Sequence, residues 1–277
     1  MKDSFSSRLL EAILVRDSPL CIGLDPHPAR LPSSCGPSLE PIARTEYFLS
    51  AIIDSTHDLV ASYKLNLAFF EILGDGGWSL LERLIRRIPD GVVTIADAKR
   101  GDIGNSARFY AESVFTHLGF DAVTVSPYMG GDSVFPFLDY EGKGVFVLVR
   151  TSNPGGSDFQ ELSVDGLPLY MHVAREAQRW CARSKGDIGF VVGATDINAL
   201  AAIAGNHPDV PLLVPGVGAQ GGDPAAVLAR GVPGRVLINS SRGILYAGTG
   251  THFAEESRIA ATDLLDLLRN ASAHTPT

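Results

Sequence analysis

The feature that most constrains the fold is a series of eight short apolar runs, rich in Val, Ile and Leu, which recur along the chain. They show little of the polar alternation of a half-solvated strand, as expected for parallel strands that are buried on both faces. The predicted strands span residues 19–25, 59–66, 91–97, 121–127, 144–150, 188–194, 210–216 and 235–241.

Longer stretches with helical periodicity separate these runs. In residues 106–119, Ser106 is the expected N-cap and Gly119 the expected stop of a helix. Residues 223–231 show the same organisation, with Asp223 as the expected N-cap. The buried stripe predicted for the first of these helices consists of Ala107, Tyr110, Ala111, Val114 and Leu118.

About eight strand–helix units in 277 residues favour one α/β domain, a (β/α)8 TIM barrel over residues 1–277. A doubly wound open sheet is the alternative, because a strand count from sequence is uncertain by one or two. The tail 271–277, ASAHTPT, has low complexity and is expected to fray.

The charge balance limits the partners. A net charge of −8 gives the chain no general attraction for nucleic acid or an anionic membrane, so any anionic ligand needs a local site. Three cysteines without a CxxC pair favour a reducing compartment. The start lacks the apolar segment of a signal peptide, and no apolar run approaches the roughly 18 residues of a membrane span. We therefore predict a cytoplasmic protein.

Charged residues mark the ends of the first three predicted strands. Asp25 ends the first strand, Lys64 lies on the second, and Asp97 and Lys99 end the third. In a barrel these ends meet at one mouth. Residues two apart on a strand share a face, so Asp97 is expected on the interior face, and so is Lys99 if the strand geometry persists. Solvated loop charges with chance spacing are the bland alternative, but a carboxylate on an apolar inward face needs a partner.

Such a cluster would hold a lysine protonated in a dry site, because flanking carboxylates favour the charged ammonium. The expected product is a rigid, charged proton donor. Asp102 lies beyond the turn at Arg100-Gly101, where the sequence does not fix its direction.

A second constellation follows the last two strands. Residues 215–224, PGVGAQGGDP, and 240–243, SSRG, place glycines and Arg242 where barrels often bind phosphate. Glycines allow backbone N–H groups to approach a phosphate, and Arg242 can donate to two of its oxygens. Tight turns without a ligand are the alternative.

Other chemistries lack a signal. No HExxH motif, cysteine cluster or nucleophile elbow is present, so no metal site and no evident cofactor are predicted. His27 fits a solvated loop, and Phe69 and Trp78 fit helix packing. The residues together predict a barrel enzyme for a small phosphorylated substrate. Whether its lysine forms a Schiff base, abstracts a proton or delivers one stays open at this point.

The segment DAKRGDIGNS, from Asp97 to Ser106, resembles the D-x-K-x-x-D-I signature of orotidine 5′-phosphate decarboxylases. GLDP around Asp25, SYKLN around Lys64, PGVGAQGGD and SSRG follow the family order, so the resemblance covers nearly the whole chain. It is closest to the longer, mycobacterial-type branch. Ser106 departs from the family, since many relatives have threonine there.

The resemblance implies decarboxylation of orotidine 5′-phosphate to uridine 5′-phosphate, the last step of de novo pyrimidine synthesis, without metal or cofactor. It implies that Lys99 protonates C6 of the pyrimidine, that Asp97 crowds the substrate carboxylate, and that Lys64 and Asp102 complete the charge network. In the family the aspartate and isoleucine that correspond to Asp102 and Ile103 come from the neighbouring subunit, which implies a homodimer with shared sites.

The resemblance also implies binding roles. Asp25 and Ser106 would contact the ribose or phosphate region, and Ser126 the pyrimidine ring. Gln220 and Arg242 would hold the phosphate. The expected substrate-binding set is Asp25, Ile103, Ser106, Ser126, Pro215, Gly216, Gly218, Gln220 and Arg242.

Three alternatives remain at this stage. A magnesium-dependent hexulose-phosphate synthase or keto-gulonate-phosphate decarboxylase shares the D-x-K-x-x-D core, although Lys64 argues against a cation beside it. A Schiff-base aldolase would use one of the lysines covalently. A non-catalytic phosphosugar-binding barrel would keep Gly216, Gly218 and Arg242 but has no use for four alternating charges.

Overall fold

In the computed structural model, which describes residues 4–36, 39–217 and 221–273, eight parallel strands close into a barrel. The strands are β1 (Leu20–Gly23), β2 (Ser62–Asn66), β3 (Val93–Arg100), β4 (Ala122–Val125), β5 (Gly144–Arg150), β6 (Asp187–Val192), β7 (Leu212–Pro215) and β8 (Val236–Ser240). Each strand pairs with its sequence neighbours, and Leu20 of β1 pairs with Ile238 of β8 to close the ring. The predicted (β/α)8 barrel is confirmed, and every predicted run overlaps a strand.

Helices follow the strands and cover the outside of the barrel. They are α1 (Phe5–Arg16), α2 (Pro41–Thr56), α3 (Ala68–Glu71), α4 (Asp75–Arg87), α5 (Gly104–Glu112), α6 (Phe135–Leu138), α7 (Leu169–Cys181), α8 (Ile197–Asn206), α9 (Pro224–Arg230), α10 (Arg242–Leu245) and α11 (Phe253–Ala273). A large apolar layer fills the space between these helices and the strands. None of the helices in the described part of the chain has the length and apolar character that crossing a bilayer demands.

The helix after β3 begins earlier than predicted, whereas its end agrees with the predicted stop, because Gly119, with a φ of +81°, directly follows the C-cap Leu118 of its last turn. It begins at Gly104, with extended Ile103 as N-cap, so the predicted cap at Ser106 is wrong. Its end runs into a π-helical turn over Ser113–His117. Tyr110, predicted in the buried stripe, is instead 38% exposed, and the Arg100 guanidinium lies over its ring, 4.7 Å from the centroid. The other predicted stripe residues are buried.

Two other predictions concern the C-terminal third. Asp223 caps α9 as predicted, since its carboxylate accepts the Ala225 N–H. The last helix, α11, continues to Ala273, so residues 271–273 of the predicted frayed tail belong to it. Residues 274–277 lie outside the described part of the chain.

The amino-terminal end of the barrel is closed by α1. Phe5 and Leu9 of this helix pack with Val93, Ile95 and other side chains that point into the barrel. Phe5 contacts Phe146 edge to face, with ring centroids 5.9 Å apart. A Cβ at Gly144 would come within 2.4 Å of the Phe5 ring, so only glycine admits this side chain. The barrel interior is therefore apolar at this end.

Candidate active site

The opposite end of the barrel, where the strands end, opens into a cavity of about 710 Å³. Its polar and charged lining includes residues that lie on or after six different strands, as in other (β/α)8 barrels. The lining consists of Asp25, His27, Arg30, Lys64, Phe69, Asp97, Lys99, Thr124, Leu148, Thr151, Ser152, Asn153, Val191, Leu213, Pro215, Gly216, Val217, Asn239, Ser241, Arg242 and Tyr246.

Asp97 is the centre of the charged cluster. One carboxylate oxygen, Oδ2, lies 2.9 Å from Lys64 Nζ. The other, Oδ1, lies 2.5 Å from Lys99 Nζ and accepts a hydrogen bond of 3.0 Å from Thr124 Oγ1. Burial would raise the pKa of this carboxyl, but the two ammonium groups outweigh burial and hold the pKa well below its usual range. Asp97 is therefore an anion shared by two lysines.

Lys64 is the buried member of the pair, with 5% of its side chain exposed. Besides Asp97, its Nζ lies 3.9 Å from Asp25 Oδ1. Burial would lower the pKa of Lys64, yet the two carboxylates together raise it above its ordinary value. The prediction that flanking carboxylates keep a lysine charged in a dry site agrees with this arrangement.

Asp25 is held by Ser241, which directly follows β8. Its Oδ2 accepts a hydrogen bond of 2.8 Å from Ser241 Oγ, while Oδ1 is buried and has no hydrogen-bond partner among the described residues. The approach of Ser241 depends on Gly23, where a Cβ would lie 1.9 Å from the Ser241 hydroxyl oxygen. One oxygen of Asp25 is thus bound to Ser241, and the other lies beside Lys64 without a hydrogen bond from the described residues.

Lys99 owes its position to a break in strand geometry. Its φ is +46°, in the left-handed region, and the pairing of β3 with β4 shifts register between Ala96 and Arg100. Its backbone N–H donates to Thr124 Oγ1 at 3.0 Å. Both Asp97 and Lys99 line the cavity, but through a bulge rather than the regular alternation that the sequence suggested. With 51% of its side chain exposed, Lys99 reaches into the open part of the cavity.

The Cys21 thiol, next to a residue of the cavity lining, carries no charge. Burial raises the pKa of the Cys21 thiol to about 12, so this group stays neutral. Its Sγ lies 3.5 Å from Asn239 Oδ1, and Asn239 lines the cavity above it.

The loops after β7 and β8 supply part of the predicted anion site. Pro215 and Gly216 line the cavity, and Gly216 has a φ of +95° that favours glycine. Arg242, the first residue of α10, lines the same cavity. Gly218 and Gln220 lie outside the described residues.

Four predicted site residues lie outside the cavity lining: Asp102, Ile103, Ser106 and Ser126. Asp102 Oδ1 accepts the N–H of Ile103 at 2.8 Å, and the Ile103 side chain is 50% exposed. Ser106 is exposed on the first turn of α5. One copy of the chain therefore does not bring its own Asp102 to Lys99.

Several lining residues were not predicted as site residues. Thr124 gave no signal, because threonine is common in strands. Thr151, Ser152 and Asn153 follow β5, and their polar run at a strand end was a usable signal. Phe69 packs against the apolar core, in agreement with its interpretation as helix packing, and it also lines the cavity. Exposed His27 lines the cavity as well.

The cluster can deliver a proton. Lys64, Asp97 and Lys99 form a continuous chain of ion pairs that ends on a half-exposed ammonium. An ammonium fixed in this way acts on negative charge that develops beside it, without the reorganisation that water would need. In the described residues, no group of three or more His, Cys, Asp or Glu side chains is arranged to hold a metal ion.

Comparison with known proteins identifies the family of the chain. The model of the family described as "Orotidine 5'-phosphate decarboxylase / HUMPS family" matches residues 18–256. An orotidine 5′-phosphate decarboxylase from Roseiflexus castenholzii is 49% identical over 272 residues, which cover 97% of this chain and 98% of that protein. One from Flavobacterium johnsoniae is 46% identical over 91% of this chain and 93% of that protein. The solved structure of Leishmania donovani OMP decarboxylase superposes with a TM-score of 0.84 at 39% identity, covering 98% of this chain and 99% of that one.

Proposed function

The chain belongs to the orotidine 5′-phosphate decarboxylase / HUMPS family, and from this premise we propose how its residues carry out the reaction. The reaction is the decarboxylation of orotidine 5′-phosphate to uridine 5′-phosphate in pyrimidine biosynthesis. The observation that carries the residue roles is the chain of ion pairs from Lys64 through Asp97 to Lys99, at 2.9 Å and 2.5 Å.

Lys99 is the proton donor. Loss of carbon dioxide leaves an electron pair on C6 of the pyrimidine, with no adjacent carbonyl to accept it. The Lys99 ammonium stabilises this charge as it forms and then transfers its proton to C6, which yields the C6–H bond of the product. Because the charge exists only near the transition state, this interaction raises turnover rather than substrate affinity.

Asp97 and Lys64 position the donor. Asp97 holds the Lys99 ammonium and faces the substrate carboxylate, while Lys64 keeps Asp97 ionised from below. Binding energy from the distant phosphate can hold the substrate carboxylate near Asp97.

The remaining contacts divide by position. Asp25, which lines the cavity beside Lys64, binds the ribose, and Arg242 binds the phosphate. The serine that contacts the pyrimidine ring is Ser152, which lines the cavity, in place of Ser126, which does not.

The working unit is a homodimer in the cytoplasm. Asp102 lies outside the cavity of its own chain, and Ile103 beside it exposes half of an apolar side chain. Phe109, on the following helix, is also exposed. These features support a contact through which Asp102 and Ile103 reach the site of the partner subunit.

The test is release of carbon dioxide from orotidine 5′-phosphate by the full chain and by Lys99→Ala, each with and without a chelator. We expect activity that resists the chelator, and a fall in kcat of at least about 100- to 10,000-fold in the variant, with uridine 5′-phosphate binding retained. Lys185→Ala, the same change at an exposed site, is the control. Activity that vanishes with chelator would favour the metal-dependent relatives, and retained turnover in Lys99→Ala would remove Lys99 from its role.

The shared site has its own test within this experiment. Mixing Lys99→Ala with Asp102→Ala subunits should restore part of the activity, because one site of each mixed dimer then carries both native residues. No recovery from verified mixed dimers would contradict the exchange of Asp102.

A further inference from the structure

Within the described lining of the cavity, Arg242 alone does not balance the charge of a phosphorylated ligand. The charged side chains in the lining are Asp25, Asp97, Lys64, Lys99, Arg30 and Arg242. The aspartates and the two lysines cancel one another, and an Asp102 from a partner subunit adds a further negative charge. A phosphate monoester carries a charge of about −1.5 to −2 at pH 7. One arginine neutralises only part of it.

Arg30 is the other cation of the lining for which the described residues provide no carboxylate partner. It ends the short 3₁₀ turn Pro28–Arg30 that follows β1, and β1 is the barrel neighbour of β8, which carries Arg242. Among the described residues, no carboxylate lies within salt-bridge distance of Arg30 or Arg242. In a chain with 31 acidic and 23 basic residues, such a pair of free guanidinium groups at one cavity is suited to an anion.

Tyr246 fixes the place of Arg30 relative to Arg242. The Arg30 guanidinium lies over the Tyr246 ring, 4.0 Å from its centroid, and Tyr246 follows directly after the helical turn that begins at Arg242. The Tyr246 hydroxyl accepts the N–H of His27 at 2.6 Å and donates to the carbonyl oxygen of Asp25 at 3.2 Å. One side chain thus ties the loop after β1 to the helix that presents Arg242.

We propose that Arg30 is a second phosphate-binding residue, which lines the same cavity as Arg242 and is positioned on the Tyr246 ring. The inference rests on the proposed function, because that function supplies the phosphorylated ligand. Arg30 touches the phosphate and not the reacting carbon, so it acts on affinity for the phosphate end of the ligand.

The experiment compares uridine 5′-phosphate with uridine as competitive inhibitors of orotidine 5′-phosphate turnover. The enzymes are the wild-type chain, Arg30→Met and Arg183→Met, a control that removes the same charge from an exposed site remote from the cavity. For Arg30→Met we expect the inhibition constant of the nucleotide to rise about 10- to 100-fold, as for loss of a charge-assisted hydrogen bond. The constant for uridine should change less than about twofold, and Arg183→Met should change neither.

The outcomes separate the two levels of the argument. A wild-type chain that neither turns over orotidine 5′-phosphate nor binds its product would overturn the proposed function itself. With an active wild type, equal weakening of nucleotide and nucleoside by Arg30→Met would show that Arg30 only supports the loop, and unchanged constants would show that other groups suffice; either overturns the inference. Tyr246→Leu, which removes the ring beneath the guanidinium, should also weaken the nucleotide more than the nucleoside.

Discussion

At its amino-terminal end the barrel interior is filled by Phe5 and Leu9 of α1, whereas at its carboxyl end the same interior opens into a cavity of about 710 Å³ with charged walls. Near the closed end, Arg8 pairs with Asp121 at 2.8 Å, and Asp121 also accepts the hydroxyl and the N–H of Thr94. At the open end Asp25 Oδ1 remains buried without a hydrogen bond.

The difference separates stability from chemistry within one set of strands. Closely packed apolar side chains gain free energy from burial and leave nothing unsatisfied. A site that must bind an anion and deliver a proton keeps charges in a partly dry cavity, where each depends on its neighbours. We therefore expect changes at the closed end to alter unfolding and changes at the open end to alter turnover.

The largest expected effect on stability comes from Phe5→Ala at the closed end. Removing a fully buried aromatic ring leaves a cavity and should lower the free energy of unfolding by about 3–5 kcal/mol. Denaturant titration measures this loss, and kcat of the folded fraction should stay within about twofold. Leu14→Ala, on the same helix at a position 66% exposed, is the matched control and should cost little. A parallel loss of kcat in Phe5→Ala would break the separation of the two ends.

Thr124→Val tests a smaller effect at the open end. The change keeps the shape of the side chain but removes the hydroxyl that donates to Asp97 Oδ1 and accepts the Lys99 N–H. We expect kcat to fall about tenfold and the free energy of unfolding to fall by about 1–2 kcal/mol. Thr56→Val is the control, because the Thr56 hydroxyl is also buried and bonds to the Tyr63 hydroxyl at 2.7 Å, away from the cavity lining. It should lose similar stability with kcat unchanged, and equal kcat losses would contradict the positioning role of Thr124.

The smallest expected effect concerns how the free energy of unfolding depends on pH in acid. The two lysines lower the pKa of Asp97 in the folded protein, so its stabilising contribution is present above the unfolded value of about 3.9 and is lost as pH falls through the folded value. Asp97→Asn should reduce the number of protons taken up on unfolding by at most one. The slope of the free energy of unfolding against pH should therefore fall by at most about 1.4 kcal/mol per pH unit below pH 4.

Equilibrium unfolding between pH 2 and 6 measures this slope. Asp58→Asn is the comparison at an exposed site, where Arg258 also lowers the carboxyl pKa. Its change in slope should be smaller, since solvent screens an exposed pair. An equal or larger change for Asp58 would contradict the stronger coupling of the buried cluster.

The barrel and the core of the site were predictable because their physical signals are strong. Strands buried on both faces need continuous apolar runs, and a carboxylate such as Asp97 is tolerated behind such a run only with a partner. Lys64, inside an apolar stretch, follows from the same rule. These signals depend on local sequence and on the common edge where parallel strands end.

The rest depends on geometry that local sequence does not carry. The start of α5 at Gly104 rather than Ser106 follows from the backbone after the turn, and the short helix α1 gives no sign of which surface it covers. Ser126 and Ser152 both follow strands, and only the course of each loop places Ser152 on the cavity. The direction of the Asp102 side chain likewise depends on the course of the backbone beyond the turn at Arg100-Gly101.

The left-handed backbone of Lys99 has an evolutionary consequence. A β-branched residue adopts this conformation only with strain, so drift at position 99 toward valine, isoleucine or threonine would damage the scaffold as well as the chemistry. Glycine or asparagine would preserve the bulge. A descendant barrel recruited to another reaction would therefore reach its new chemistry most readily through glycine or asparagine at position 99.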